Sequence, residues 1–203
     1  MEKLNTLLAV RHGEVANPNH VVYGDLPGFD LGPKGVLEAH AAADHLSGFA
    51  IDAVVSSPLV RAVSTATAIA DRVGVQLAIE PDFTEWNLNP GWTGVCWEDL
   101  PAFFPGQLAA YLETPDRLDF AHESLEDLAF RMRRAALRSI PYAGSQIVIV
   151  SHQDPISSLI LSLTDQPLSS LLDSPPPHAS VTRIVGSAAS GWVVRDRWEP
   201  QIG

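Results

Sequence analysis

Two short apolar runs constrain the fold of this chain more than any other feature. Residues 5–10 read NTLLAV, and residues 147–150 read IVIV. Runs of this length are typical of strands buried on both faces, as in parallel sheets that helices cover. A histidine follows each run at the second position, at His12 and at His152. The sequence therefore predicts two buried strands, each delivering a titratable side chain where the strand ends.

The remaining segments alternate between strand-like and helix-like patterns. We predict strands over Asn5–Val10, Ile51–Val55, Val75–Ile79, Ile147–Val150, Val181–Val185 and Trp192–Arg197, and helices over Gly35–Ser47, Leu59–Val73, Glu123–Ile140 and from Asp154 or Pro155 to Leu163. Such alternation favours an α/β fold with a mostly parallel sheet. We expect a three-layer sandwich in which helices cover both faces of about six strands.

Residues 81–122 interrupt this alternation. They hold three of the five tryptophans and show no clean period. We predict short helices there, such as Leu108–Glu113, in an irregular insertion over the carboxyl edge of the sheet. The aromatic side chains of the insertion are assigned to its packing core in preference to a substrate mouth; they are Trp86, Trp92, Trp97, Phe103 and Phe104. No linker separates two domains, so residues 1–203 are predicted to form one domain.

Charge and cysteine content narrow the function classes. Thirteen basic against 24 acidic residues give a net charge of −11, which disfavours binding to nucleic acid or to an anionic membrane. The single cysteine, Cys96, excludes an internal disulfide and fits a reducing compartment. The apolar run near the N-terminus is too short for a signal peptide or a membrane span. We expect a soluble cytoplasmic protein, with a possible homodimer through an apolar edge strand near the C-terminus.

Four side chains that suit phosphate chemistry are predicted to converge. Arg11 and His12 follow the first strand, His152 follows the IVIV strand, and Arg61 lies in the first turn after the second strand. The carboxyl ends of parallel strands share one edge, where ligands of α/β sheets bind. A guanidinium grips two phosphoryl oxygens, and a neutral histidine can act as a nucleophile. These residues therefore indicate a site for a phosphate dianion.

An acid is also needed to protonate the leaving oxygen. Glu85, which follows the third predicted strand, is the leading candidate. The neighbouring Phe83 and Trp86 would desolvate its carboxyl group and raise its pKa towards a useful range. Asp154 is a much weaker candidate for the proton donor than Glu85.

Taken in order along the chain, these residues resemble the histidine phosphatase superfamily, also called phosphoglycerate mutase-like. The resemblance rests on Arg11-His12-Gly13-Glu14, Asn17, Ser57-Pro58 with Arg61, Glu85, Glu123-Ser124 and Ser151-His152. The chain departs from the family pattern at Gly91-Trp92-Thr93-Gly94, where the family has Gly-x-Trp-Glu-Gly, and at two positions of the phosphate pocket. Val15 replaces the usual hydroxyl residue, and Gln153 replaces the common glycine after the second histidine, where its side chain narrows the pocket while its N–H can still reach phosphate.

The resemblance implies a role for each matching residue. His12 would carry the phosphoryl group as a phosphohistidine, and Arg11, Arg61 and His152 would complete the phosphate pocket. Asn17 would contribute from its loop. Glu85 would protonate the leaving group and then activate water. The resemblance implies neither a metal ion nor another cofactor, and the expected partner is a small phosphorylated substrate.

Three alternatives to a small-molecule phosphomonoesterase stay open: a phosphoglycerate mutase, a catalytically silent phosphate-binding module and a protein phosphatase. A mutase must hold a second anionic group, yet residues 81–122 contain only one basic residue, Arg117, and residues 13–33 contain no lysine or arginine. That scarcity favours a phosphatase, and we hypothesise that the aromatic insertion selects apolar or aromatic esters. The other histidines are predicted to be non-catalytic; they are His20, His40, His45, His122 and His178.

Overall fold

The computed structural model describes residues 3–202 and contains a six-stranded sheet. Its strands are β1 (Asn5–Arg11), β2 (Ala53–Ser56), β3 (Leu77–Ile79), β4 (Gln146–Ser151), β5 (Val181–Ser187) and β6 (Gly191–Trp198). They lie in the order β3-β2-β4-β1-β5-β6. The four strands from β3 to β1 are parallel, whereas β5 and β6 are antiparallel to their neighbours. The prediction of a mostly parallel sheet of about six strands is confirmed.

The antiparallel part of the sheet follows from chain connectivity. Only residues 188–190 separate β5 from β6, and a connection that short permits only an antiparallel hairpin. Strand β6 forms one outer edge of the sheet, with Val193 and Val194 exposed. This is the edge expected for pairing between copies of the chain, and the homodimer itself stays a prediction.

Helices cover both faces of the sheet, as predicted. They are α1 (Pro33–Leu46), α2 (Val60–Val73), α3 (Leu100–Phe103), α4 (Gln107–Glu113), α5 (Leu125–Arg138) and α6 (Gln153–Leu163). Along β1, Leu8 and Val10 pack in the core that α1 and α2 share, while Leu7 and Ala9 pack in the core that contains α5 and α6. Alternate residues of β1 thus feed two cores, which explains why the strand is apolar on both faces.

Several predicted boundaries shift by a few residues for local physical reasons. Helix α1 begins at Pro33, two residues before the predicted start, because proline is well tolerated in a first helical turn. Helix α5 begins at Leu125 because the Ser124 side chain accepts a hydrogen bond from the Asp127 N–H and caps the helix. Helix α6 begins at Gln153, ahead of the predicted Asp154 or Pro155.

Residues 81–122 are irregular, as predicted. They contain three single turns of 3-10 helix and the short helices α3 and α4. Part of this segment lies over the carboxyl edge of the sheet, where it shares a cavity wall with Arg11 of β1. Within residues 3–202, no helix is both long and apolar enough to cross a membrane.

Candidate active site

The predicted convergence of both histidines is present at the carboxyl edge of the sheet. Strands β1 and β4 are parallel neighbours, and Arg11 pairs in register with Ser151. His12 and His152, the next residues of the two strands, therefore stand side by side, with ring centroids 5.2 Å apart. His152 is also the N-cap residue of α6. Parallel pairing alone fixes the separation of the two imidazoles.

His12 is held in one tautomer. Its Nδ1 lies 2.8 Å from the Gly13 carbonyl oxygen, which can only accept, so Nδ1 carries the proton. Its Nε2 accepts a 3.3 Å hydrogen bond from the Nε–H of Arg61 and therefore holds a lone pair. The ring is 1% exposed, and burial lowers its pKa well below the usual value, with the Arg61 charge adding to the effect. His12 is a neutral imidazole with Nε2 available for bond formation.

Arg61 is enclosed by protein on the first turn of α2. Its side chain is 1% exposed, and its Nη2 donates to the Gly24 carbonyl at 2.8 Å and lies 3.6 Å from Glu85 Oε2. The Tyr23 ring covers the guanidinium with its centroid 4.7 Å from Cζ. Stacking on an aromatic ring stabilises a desolvated guanidinium. Arg61 is thus fixed between His12 and Glu85, as the predicted phosphate site requires.

Arg11 has one guanidinium nitrogen without a partner in the described part of the chain. Its Nη1 donates to Gln153 Oε1 and to the Pro176 carbonyl, both at 2.9 Å, and its Nη2 contacts His178 Nε2 at 3.0 Å. Its Nε–H is buried and has no hydrogen-bond partner among the described residues. The Nε–H and the second Nη2 hydrogen lie on the same edge, which forms a bidentate fork for phosphoryl oxygens. The unpaired Nε–H therefore marks where an anion fits.

His152 presents a second unsatisfied nitrogen. Its Nε2 lies 2.8 Å from the Ser57 hydroxyl, while its buried Nδ1 has no hydrogen-bond partner among residues 3–202 and lies 3.6 Å from Glu85 Oε2. If Ser57 donates to Nε2, Nδ1 carries the proton and is free to donate to a ligand. Burial lowers the pKa of His152 well below its usual value, and the charge of Arg61 lowers it further. Anion binding would offset that charge.

Glu85 reaches the same point from the segment that follows β3. Its Oε1 accepts from the Trp86 N–H at 2.9 Å, and its Oε2 lies 3.6 Å from both Arg61 and His152. Burial raises the pKa of the carboxyl group; the Arg61 charge opposes this, and the Asp154 charge adds to it. A carboxyl group with a raised pKa is suited to exchange a proton near neutral pH. Glu85 thus lies beside Arg61 and His152, and its role as proton donor stays a prediction.

Arg131 of α5 positions the Glu85 segment, and the sequence analysis did not single it out. Its Nη1 donates to the Asp82 and Thr84 carbonyls at 2.7 and 2.9 Å, and its Nη2 donates to the Glu85 carbonyl at 2.9 Å. Glu123 pairs with the same guanidinium. Arg131 therefore fixes the backbone that carries Glu85, a long-range contact with no local sequence signal.

The two other predicted site residues occupy different places. The Asn17 amide bonds to the backbone N–H and carbonyl of Val21, at 3.2 and 2.9 Å, and stabilises its own loop. Asn17 is not among the residues that line the main cavity. The Gln153 side chain does line that cavity, where it accepts from Arg11 and donates to Asp154 Oδ1 at 3.2 Å. Gln153 thus narrows the site, as expected, and also holds Arg11.

His178 lies in the site, although the sequence analysis grouped it with the histidines outside. Its ring centroid is 5.8 Å from that of His12, and its Nε2 accepts the Nη2–H of Arg11. Burial beside the Arg11 charge lowers the pKa of His178 to about 4, so the ring is neutral at neutral pH. The segment is brought there by the Ala179 N–H, which donates to the Arg11 and His12 carbonyls. The presence of His178 in the site becomes evident only from the position of β5 beside β1.

A cavity of about 580 Å³ lies under the 81–122 insertion, and of the site residues Arg11, Glu85 and Gln153 line it, whereas His12, Arg61 and His152 lie buried behind them. Trp86, Trp92 and Trp97 line it, and the first two are also buried. Trp86 and Trp92 therefore combine the core and mouth roles that the sequence analysis treated as alternatives, whereas Trp97 and Phe103 are exposed. Among the described residues, no group of three or more His, Cys, Asp or Glu side chains is placed to hold a metal ion.

Comparison with known proteins agrees with this geometry. Residues 7–198 match the family model of the histidine phosphatase superfamily, branch 1. An uncharacterised protein of Mycobacterium tuberculosis is 37% identical over 172 residues, which are 78% of each chain. Phosphoserine phosphatase 1 of Hydrogenobacter thermophilus is 28% identical over 167 residues, 80% of this chain and 78% of that protein. The chain therefore belongs to the histidine phosphatase superfamily, and it is a phosphatase.

A solved structure extends the likeness to the fold. The native structure of a mycobacterial glucosyl-3-phosphoglycerate phosphatase superposes with a TM-score of 0.85 at 26% identity, covering 98% of this chain and 100% of that one. A likeness over the whole chain confirms the three-layer α/β architecture that the alternating pattern predicts.

Proposed function

We propose that this phosphatase is a metal-independent phosphomonoesterase that hydrolyses a small phosphorylated metabolite through a phosphohistidine on His12. One observation carries the proposal: His12 Nε2 accepts from Arg61, the neighbouring His152 has an Nδ1 and Arg11 an Nε–H that are unpartnered within residues 3–202, and the Glu85 carboxyl group lies 3.6 Å from both Arg61 and His152. A phosphoryl group placed there would meet a nucleophile, an anion-binding shell and an acid together.

In the first step, His12 Nε2 attacks phosphorus and the bond from phosphorus to the ester oxygen breaks. The proton of the Glu85 carboxyl group passes to the departing oxygen, which leaves as an alcohol. Arg11, Arg61 and the Nδ1–H of His152 hold the charge of the three equatorial oxygens in the transition state. The Gly13 carbonyl stabilises the positive charge that develops on the His12 ring through its bond to Nδ1–H.

In the second step, a water molecule takes the place of the alcohol. The Glu85 carboxylate accepts a proton from this water as its oxygen attacks phosphorus. The bond from phosphorus to His12 Nε2 breaks, and inorganic phosphate leaves. Glu85 and His12 then hold the protons and electron pairs with which they began, so no metal ion or other cofactor is needed.

Two alternative functions are a mutase, which the charge of the cavity wall distinguishes, and a silent binding module, which the absence of turnover would distinguish. A mutase would need basic groups for a second anion, yet Arg11 is the only Lys or Arg among the described residues that line the cavity. Arg117 of the insertion is exposed and pairs with Asp116. A silent binding module would keep phosphate affinity without turnover. The presence of both His12 and Glu85 favours the hydrolase.

Hydrolysis of p-nitrophenyl phosphate in excess EDTA tests the proposal. The native chain should release p-nitrophenol in the presence of chelator, and His12→Ala should lose nearly all activity while staying folded. His40→Ala is the matched control, because His40 is exposed on α1. Loss of activity on chelation would overturn metal independence. Phosphate binding without turnover in the native chain would favour the mutase or the silent module.

A further inference from the structure

The cavity wall beyond the arginines is built from three aromatic rings at right angles to one another. Trp92, Trp97 and Tyr111 have interplanar angles of 88°, 85° and 81°, and their centroids lie 6.1–6.5 Å apart. All three line the cavity. We call these residues the aromatic corner. Because the electron-rich faces of aromatic rings attract cations, a corner of this kind suits a positively charged group as well as an apolar one.

Charge separates those two possibilities. The charged side chains on the cavity wall, among the described residues, are Arg11, Asp25, Glu85 and Asp154. Of these four, Arg11 is the one cationic group on this wall and belongs to the proposed phosphate site, so a bound phosphate dianion would use its charge. What then faces the rest of the substrate is acidic. A second anionic group on the alcohol would be repelled, and an apolar group would offer these carboxylates no positive charge.

Asp154 connects the phosphate site with the aromatic corner. Its Oδ2 accepts from the Tyr111 hydroxyl at 3.0 Å, and its Oδ1 accepts from the Gln153 amide, which in turn holds Arg11. Both partners of the carboxylate are neutral donors. Burial raises the pKa of Asp154, which means that its ionised form is incompletely stabilised by the protein. A cation in the corner would supply the missing partner.

We propose that the aromatic corner and Asp154 bind a positively charged nitrogen, so that the preferred substrates are phosphate monoesters of short amino alcohols, including methylated ones. This inference rests on the proposed function, since the cation acts only by binding the ester that His12 cleaves. The nitrogen takes no part in the reaction: the ester and water give the amino alcohol and phosphate. An apolar or aromatic ester would account for the rings and would leave the carboxylates unexplained.

The direct test compares choline phosphate with 3,3-dimethylbutyl phosphate, which have the same shape and differ in the charge of one atom. We expect kcat/KM to be at least about tenfold higher for choline phosphate, and 3-phosphoglycerate to be a poorer substrate than either. Asp154→Asn should abolish most of the preference, so that the ratio of kcat/KM for the two isosteres approaches one. Glu113→Gln, an equal charge loss on the exposed face of α4, should leave the ratio unchanged.

Equal kcat/KM for the two isosteres, or a preference that survives Asp154→Asn, would overturn the inference. Hydrolysis of p-nitrophenyl phosphate separates this outcome from failure of the proposed function. If that ester is cleaved in a His12-dependent manner and the isosteres are not distinguished, only the cation site is wrong. If no ester is cleaved, the phosphatase mechanism itself is wrong.

Discussion

Arg61 donates its Nε–H to Nε2 of His12 across 3.3 Å, so the phosphate-binding cation contacts the atom proposed as nucleophile. The contact has two consequences. It keeps His12 unprotonated, because a nearby positive charge opposes a second one on the ring. It also places the guanidinium next to the position that a phosphoryl group bonded to Nε2 would take, so binding and nucleophile activation depend on the same side chain.

Replacing Arg61 should therefore weaken anion binding. In Arg61→Ala, each lost charged hydrogen bond costs about 1.5–3 kcal/mol, so vanadate affinity should fall at least about tenfold. The vanadate affinity is measured as the inhibition constant of vanadate in p-nitrophenyl phosphate hydrolysis. Arg72→Ala is the control, because Arg72 lies on the same helix and is exposed. Unchanged vanadate inhibition in Arg61→Ala would remove Arg61 from the phosphate site.

The proton-donor role of Glu85 predicts a dependence on the leaving group. Glu85→Gln should slow the phosphorylation of His12 by alkyl phosphates by about 10²–10⁴-fold. The loss should be smaller for p-nitrophenyl phosphate, whose phenolate leaves without much protonation. Single-turnover rates for phosphate esters of a series of alcohols and phenols measure how the phosphorylation rate depends on the pKa of the leaving group. Equal losses for every leaving group would contradict the role, and Glu126→Gln on the surface of α5 should change none of them.

Arg131 should act through Glu85 and not through substrate. Arg131→Ala releases three backbone carbonyls around Glu85, so kcat for poor leaving groups should fall at least about tenfold with KM little changed. The double variant with Glu85→Gln should be no slower than Glu85→Gln alone. Additive losses would show a separate role. Arg133→Ala is the control, because Arg133 lies on the same helix and contacts Ser162 and Asp165 instead of the Glu85 segment.

His178 should fix the orientation of Arg11. His178→Ala removes the acceptor for the Arg11 Nη2–H, and His178→Gln restores an acceptor of similar reach. We expect KM and the vanadate inhibition constant to rise several-fold in His178→Ala. In His178→Gln both constants should return towards the values of the native chain. Equal values for both variants and the native chain would show that the contact does not position Arg11.

The same residue predicts a pH dependence of stability. The pKa of His178 is about 4 in the folded chain against 6.5 in the unfolded one, so between these pH values the unfolded chain binds more protons. The contribution of neutral His178 to the free energy of unfolding is complete above pH 6.5 and is lost as the pH falls towards 4. Urea unfolding across this range should show a shallower loss of stability for His178→Gln than for the native chain. An unchanged slope would contradict the low pKa.

The parts of the site that the sequence predicts are those fixed by topology. His12 and His152 each follow a buried apolar strand, and parallel pairing of the two strands brings them together whatever the loops do. Arg61 follows for the same reason, since a short loop joins its helix to β2. Glu85 needed a further argument, from the aromatic neighbours that desolvate it.

The residues that sequence analysis missed depend on contacts without periodicity. His178 enters the site because β5 lies antiparallel beside β1, and nothing in its proline-rich loop indicates that placement. Arg131 lies on a helix face that looks like an ordinary solvated surface until its guanidinium is seen on the carbonyls near Glu85. Side-chain directions of this kind come from tertiary packing, which overrides local pattern.

The covalent intermediate on His12 is the central claim, and Glu85→Gln offers the most direct test. With p-nitrophenyl phosphate, phosphorylation needs little acid help, whereas hydrolysis of the phosphoenzyme needs Glu85 as a base. The variant should release a burst of about one equivalent of p-nitrophenol and then turn over slowly. Mass spectrometry should find an acid-labile phosphoryl group on His12, and the His12→Ala, Glu85→Gln double variant should show neither. A burst with the phosphoryl group on another residue, or turnover with no covalent intermediate, would contradict the account.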